Sequence, residues 1–535
     1  MTSRLAGCHI FNTNLVMNYL GGFFLYLPQM IYKLKISLLT AMMFAAAIII
    51  VSCSKDEIQT PAAVIDETNN GFETYDVAKI FAEKCAIPEC HSSANPKNGL
   101  SLASYSDMLK GSINRDEDTT GHNHTGGGYK IISGQSGVYG GECVIPFNSE
   151  YSLLYNIITG KVGGNSVHSS SLKNILSESE IATLKNWIDS GAKDFKENIA
   201  YSNSLNNVYV CSQRSDQIFE INTENNLCSR IINVHFNLFD LDQPHNIQKR
   251  GNFLFVTLAA TGKFLKIDVN TNTVAAKVEG LLAPGMIAIS PDGKTAYVSK
   301  VSIAVDLHKI IYRINLETME RLEDIILPEL GLPYGITFSH DGKFVYVADI
   351  PNDKIAIIDA VTNQFVDYIP LSPDQSLVNE PLNVYVSPDD KYLYVCCRKS
   401  SKFLVVDVQS RQIISELEIK THPWQAAVSS DGSKIYIVSH HEPAITTVTK
   451  VGDSWSVTDE FIYNGFSNLL GADLSPDGKY LYVTCSNVER GFTPFYSIPG
   501  RDMPSMVGVF DTQSKDLVKI FDVGNEATGI VAREN

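Results

Sequence analysis

Positive charge is scarce: 43 Lys and Arg stand against 59 Asp and Glu, a formal net charge of −16 at pH 7. Residues 1–52 carry basic residues and no acidic one, so the remainder is more acidic still. A chain of this sign lacks the cationic footprint that phosphate backbones require, which excludes nucleic acid as its main partner. Cysteine is sparse, 10 in 535 residues, too few for a disulfide scaffold. No methionine occurs between Met108 and Met286. Also missing are the nucleophile elbow, the Walker loop and the zincin helix, so the sequence offers no support for those hydrolytic chemistries. What it does have is 44% hydrophobic residues over a length sufficient for more than one domain.

The longest apolar run, Ile36 to Ser52, follows Lys33 and Lys35 and ends at Cys53. That order, charged then apolar then a processing site, reads as a signal peptide over residues 1–52, too short and wrongly flanked for a membrane span. Met30 is the more natural start, and residues 1–29 read as an over-called reading frame. The stretch Ile50-Val-Ser-Cys53 resembles a bacterial lipoprotein lipobox, although leucine is usual where Ile50 stands. The resemblance implies that Cys53 is the lipid anchor. The following Ser54-Lys-Asp-Glu57 resembles the surface-export signal of Bacteroidetes-type lipoproteins. Residues 53–70 are polar and aperiodic, a tether.

Apolar residues at Val77, Ile80, Phe81 and Cys85 fall at helical spacing, and the helix runs into Cys85-Ala-Ile-Pro-Glu-Cys90-His91. Two thiols followed directly by an imidazole suit c-type haem attachment, in which the cysteines form thioethers and the adjacent histidine ligates iron. The spacer here is four residues where two are usual. A Cys85–Cys90 disulfide is the alternative in an oxidising envelope. A second helix opens at Ser177 with a capping box to Glu180, carries Ile181, Leu184, Trp187 and Ile188 on one face and ends at Gly191.

Residues 71–195 resemble the cytochrome c-like domain of planctomycete and Bacteroidetes envelope proteins. The likeness rests on four blocks: IFAEKCAIPECHSS, GLSLASYSDMLKGS, VIPFNSEYSLLYNII and LSESEIATLKNWIDSGA. It implies a small all-α domain with one covalent haem c on Cys85, Cys90 and His91. The family's usual methionine before the last helix is absent. His168 stands there and is the first choice of second axial ligand, with His122, His124 and Met108 in reserve. Cys143 has no evident partner.

Beyond residue 200 a unit recurs: Ser-Pro-Asp-Gly-Lys, then Tyr-Val, then Ile-Asp. The Tyr-Val landmark falls at Tyr209, Phe255, Tyr297, Tyr346, Tyr394, Tyr436 and Tyr482, at spacings of 46, 42, 49, 48, 42 and 46 residues. A period in the forties with four strand signals predicts a seven-bladed β-propeller over 205–535, Asp-Gly marking the hairpins between first and second strands. The first unit lacks a first strand and Thr528-Gly-Ile-Val supplies one, so the termini share a blade. The repeat resembles the YVTN-type propeller family. The expected fold class is therefore multidomain, a small all-α domain plus an all-β propeller.

On a four-stranded blade the loops entering each inner strand share a face with those joining second to third strands. They bring His245, Met286, Tyr334, Asn383, Trp424, Leu470 and Thr528 around one mouth, with Arg398, His440, His441 and, from the 487–506 insertion, Arg490 and Arg501. His245, Tyr334, Arg398, Trp424, His440, His441, Arg490 and Arg501 are the candidate mouth residues. The histidines come from different blades without close ligand spacing apart from the adjacent His440 and His441, which cannot readily bind one ion through both rings, and this argues against a metal there. The free cysteines Cys211, Cys228, Cys396, Cys397 and Cys485 carry no pattern.

Together these expectations describe an outer-membrane or surface lipoprotein carrying out electron transfer, alone or as a component of a haem-dependent oxidoreductase. Its partner would be a redox protein or a small molecule, and its membrane contact the lipid anchor. The rival expectation is a non-redox surface binding or adhesion lipoprotein whose residues 71–195 form a disulfide-closed spacer.

Overall fold

Short runs of β-branched and aromatic residues, punctuated by Asp, Asn and Gly at positive φ, leave the chain few options but antiparallel hairpins. The computed structural model describes residues 69–534, apart from 89, 112–141, 162–175, 203–205, 225, 237–239, 301–307, 373–376, 462–465 and 487–504. The signal segment, Cys53, His122, His124, His168, Arg490 and Arg501 lie outside the described residues.

Seven antiparallel sheets follow one another. The first, blade 1, is assembled from both ends of the propeller: Ala527–Val531 lies innermost, followed outward by Asn207–Ser212, Gln217–Asn222 and Leu227–Asn233. Blades 2 to 7 begin with inner strands Pro244–Arg250, Pro284–Ile289, Pro333–Phe338, Pro381–Val386, Pro423–Val428 and Leu469–Leu474. Each inner strand touches the next, and Ala527–Val531 touches both Leu469–Leu474 and Pro244–Arg250, which closes the ring. The seven-bladed propeller expected from the repeats is thus present, joined through the shared blade. Blade 3 departs from four strands, because its outer edge is split into Glu320–Arg321 and Ile325–Gly331, both paired with His308–Asn315.

The landmark aromatics, Tyr209, Phe255, Tyr297, Tyr346, Tyr394, Tyr436 and Tyr482, are all no more than 4% exposed. They fill the space between neighbouring sheets, where a large ring buries the most apolar area per residue. The Ser-Pro-Asp-Gly turns have a local cause. In Ser290, Ser429 and Ser475 the hydroxyl donates to Asp292, Asp431 and Asp477 at 2.6 Å, and the glycine that follows takes φ near +70°. In blade 5 Asp390 takes that φ instead.

The N-terminal part of the described chain holds few helices. Tyr75–Ile80 is α-helical, capped by Thr74, and widens into a π-helical turn over Phe81–Cys85. Leu153–Ile158 and Glu178–Asp189 follow, the second with the expected Ser177–Glu180 capping box. Short turns and irregular chain join them. Phe72 stacks on Phe81 at 4.6 Å between ring centroids, and Tyr105 and Trp187 meet the pair edge-on. Met108, Cys85, Cys143 and Leu184 complete this core.

This segment packs on the outer edge of the propeller. Leu227 of blade 1 joins the helical core, Ile145 enters the cluster between blades 1 and 7, and Tyr151 meets Phe219 edge-on. Arg230 donates to the Ala200 carbonyl at 2.8 Å, and the Cys228 N–H donates to the Glu142 carboxylate at 3.1 Å. No helix among the described residues is long and apolar enough to cross a membrane.

Candidate functional site

A proline opens five of the inner strands, at Pro244, Pro284, Pro333, Pro381 and Pro423. The first residue of a strand is where a missing N–H costs least. Just after these openings the pairing with the second strand shifts register in all seven blades, for example between Pro244 and Asn246, between Pro423 and Gln425, and between Val210 and Ser212 opposite Ala527–Val531. A bulge re-aims side chains that would otherwise alternate between sheet faces. Repeated around the ring, it directs one or two residues per blade towards the channel mouth.

The result is a cavity of about 400 Å³. His245, Met286, Tyr334, Trp424, Leu470 and Thr528 line it, and His440 joins them from a turn between second and third strands. Asn383 does not line it; its amide donates to the Trp424 carbonyl at 2.7 Å and so holds that residue's backbone. Arg398 is engaged by Glu380 at 2.8 Å and lies off the cavity lining. His441 is also off the lining, stacked on His422 with ring centroids 3.8 Å apart.

Sequence reasoning missed Gln213, Arg214, Gln425, Asn468, Ser486 and Glu526, which also line the cavity. Gln213 and Arg214 occupy the turn between second and third strands of blade 1, the position that Arg398 and His440 hold in later blades. Arg214 and Glu526 form an ion pair with each other.

The Tyr334 hydroxyl lies 3.0 Å from His245 Nε2, and His245 Nδ1 is sealed from water with no hydrogen-bond partner among the described residues. Burial pulls the His245 pKa down to about 4 and pushes the Tyr334 hydroxyl up. Burial, with the neighbouring His441 and His422, pulls His440 down to about 4 as well. Its Nδ1 sits 2.9 Å from His441 Nδ1, which requires one ring to donate and the other to accept, and its ring lies 5.0 Å from that of Trp424. At neutral pH this is therefore a lining of uncharged rings.

The second candidate group lies in the helical segment. Cys85 is buried and Cys90 half-buried, and both are free thiols. Burial, then the nearby Cys90 and Glu180, push the Cys85 thiol up to about 12. The His91 N–H donates to the Cys85 carbonyl at 3.1 Å, closing the loop that carries all three residues. His91 Nδ1 donates to the Leu100 carbonyl at 3.0 Å. Burial lowers the His91 pKa, opposed by the Leu100 and Lys97 carbonyls, so the ring is neutral. Cys143, Cys211, Cys228, Cys396, Cys397 and Cys485 are buried free thiols.

A third cluster was not anticipated: ligand atoms of Asp216, His235 and Asp242 fall within 4.8 Å of one another. Its bonds explain it without an ion. Asp216 accepts from the Asp242 and Gln243 N–H groups and from His235, and the Lys263 ammonium sits on Asp242 at 2.9 Å. Asp353 repeats the arrangement between blades 4 and 5, accepting from the Asn379 and Glu380 N–H groups. These carboxylates staple loops between neighbouring blades.

No family model matches the sequence, and neither does any curated protein. Among solved structures, the chain is similar to a functionally unknown protein from Desulfotomaculum acetoxidans, with a TM-score of 0.50 and 14% identity over 62% of this chain and 99% of that one. It is also similar to Kuenenia stuttgartiensis hydrazine synthase, with a TM-score of 0.41 and 20% identity over 52% of this chain and 79% of that one. A third similarity is to the Cps50 (Swd1) β-propeller domain of Myceliophteria thermophila, with a TM-score of 0.44 and 14% identity over 55% of this chain and 91% of that one. At these identities the likeness is one of fold.

Proposed function

We propose that the protein is a lipid-anchored c-type haem protein of the cell envelope, in which a cytochrome c-like segment transfers electrons and the propeller mouth binds a partner or substrate. The observation that carries this is the Cys85–His91 loop. Two unbridged thiols and a neutral imidazole are held on one closed turn, and the imidazole's Nδ1 is already committed to a backbone carbonyl. A bond of that kind fixes the ring of a metal-ligating histidine. The donor set therefore fits haem c. Cys85 and Cys90 would hold the thioether bonds, and His91 would be the proximal ligand. Haem bound there supplies one-electron transfer at iron.

The chain's own residues do the rest. The π-helical turn sets Cys85 into the aromatic core of Phe72, Phe81 and Trp187, which excludes water. Met108 is buried in that same core and, on this reading, would be an alternative to His168 as a second iron ligand. Cys53 would anchor the chain through lipid, and the acidic surface disfavours nucleic acid. YVTN-type membership is part of the same reading.

The helical segment packs on outer strands, whereas the cavity opens among inner ones. Three interstrand gaps of about 4.8 Å span a four-stranded blade, so roughly 15 Å separates the outer strands from the inner ones. The mouth on this reading positions a partner and does not share the haem's inner coordination. The rival adhesion reading draws on the cavity alone, which needs no haem.

Protein matured in a host with haem-attachment machinery should give a covalent haem spectrum as the pyridine haemochrome. The peptide containing Cys85 and Cys90 should carry the full mass of haem. A folded, colourless product whose peptide is lighter by two hydrogens would replace electron transfer with the adhesion reading.

A further inference from the structure

The mouth cavity has a chemical character of its own, and the argument rests on reading that mouth as a binding platform. Among the described residues its charges cancel: Arg214 and Glu526 are the ionised side chains of the lining, and they pair with each other. His245, His440 and Tyr334 are held neutral by burial. A charged ligand entering this space would lose its hydration without meeting a free counter-charge, which is costly. The described lining therefore favours an uncharged ligand.

The polar groups narrow it further. The side-chain amides of Gln213, Gln425 and Asn468 line the cavity, and all three residues are half-exposed. A primary amide offers donors and an acceptor side by side. Its natural complement is a hydroxyl, which donates and accepts from one atom. Beside these amides the half-exposed Trp424 presents an indole braced by the His440 ring. An aromatic face takes up apolar C–H surface, and a saccharide combines such a surface with a rim of hydroxyls. A volume of about 400 Å³ accommodates a mono- or disaccharide.

We infer that the propeller mouth is a binding site for a neutral saccharide, with Trp424 as the stacking platform and Gln213, Gln425 and Asn468 as the hydroxyl-reading groups. Binding is a property of the propeller and does not require haem.

The test is calorimetric titration of the full chain with neutral mono- and disaccharides, guided by a glycan array that also carries sialylated and sulfated members. The expected result is binding of a neutral sugar with an affinity unchanged between low and high salt, because an uncharged ligand is not screened. Trp424→Ala and Gln425→Ala should each weaken binding about tenfold at an unchanged melting temperature, a loss comparable to one hydrogen bond or stacking contact. If Trp424→Ala does not fold, Gln425→Ala alone carries the test. Absence of any neutral glycan binding overturns the proposal, as does preference for acidic glycans with a strong salt dependence. Binding of a neutral aromatic probe such as a naphthoquinone, lost in Gln425→Ala and without any sugar binding, overturns the saccharide while leaving the mouth as the platform.

Discussion

His245 and His440 illustrate what burial does to an imidazole. Both have their pKa pulled to about 4, against an ordinary value of 6.5. In the unfolded chain these rings take up protons below about pH 6.5, while in the folded chain they do so only near pH 4. The stability they support is fully present above pH 6.5 and is lost as the pH falls towards 4. Both rings are partly exposed, so the expected loss between pH 7 and pH 5 is on the order of 1 kcal/mol for each. Urea midpoints at the two pH values measure it. The acid-side loss should shrink in His245→Gln and His440→Gln relative to the parent, and equal pH slopes in parent and variants would show that the rings titrate normally. The residue scale is also where the sequence was most legible for position and least for contacts. His245, Met286, Tyr334, Trp424, Leu470 and Thr528 could be assigned to one mouth because repeat register fixes which loop each occupies. That Arg398 would be engaged by Glu380, or His441 by His422, depends on pairings across turns that no repeat encodes.

Among the strands, the tightest constraint is the approach of neighbouring inner strands. A Cβ at Gly335 would meet the Asn383 Cα and the Leu382 carbonyl oxygen at 2.5 Å, both backbone and unable to yield. Gly471 and Gly529 face the same crowding from Thr528 and His245 backbone. Gly335→Ala should therefore cost about 3 kcal/mol. Gly452, at φ +60° on an exposed turn with nothing near its Cβ, gives the comparison, since alanine there meets only the backbone penalty of about 1 kcal/mol. Equal losses in thermal or urea unfolding would mean that the inner strands can part without cost. The glycines stand at recurring positions in the inner strands and were visible in the sequence, but their reason was not, because it is a distance between blades. The split outer edge of blade 3 was hidden for a similar cause: outer strands have a free side, so the repeat constrains them least.

For the whole molecule, the decisive feature is how the ring is held shut. Ala527–Val531 closes blade 1, and the helical segment then lies across the seam between blades 1 and 7. Glu142 is the pivot of that second latch. Its carboxylate accepts from the Cys228 N–H of blade 1, and its charge acts at a distance on the buried Lys519 of blade 7, while burial raises the pKa of Glu142 itself. Burial already pulls the Lys519 pKa down to about 8, with Glu142 opposing the fall. Removing the anion by Glu142→Gln keeps an acceptor for Cys228 but leaves the ammonium in the interior unaccompanied. The expected cost is about 1 kcal/mol at pH 7, below that of a broken buried ion pair, because the two groups act on each other without direct contact and Lys519 can shed its proton instead. Lys519→Met added to Glu142→Gln removes the stranded charge along with its cause. The double variant should recover most of the loss, since removing both charges together leaves neither stranded. Denaturant midpoints of the parent, both single variants and the double decide the matter. Additive losses in the double would mean that the two groups do not act on each other, and the seam would then be held by Ile145, Phe219 and their apolar neighbours alone.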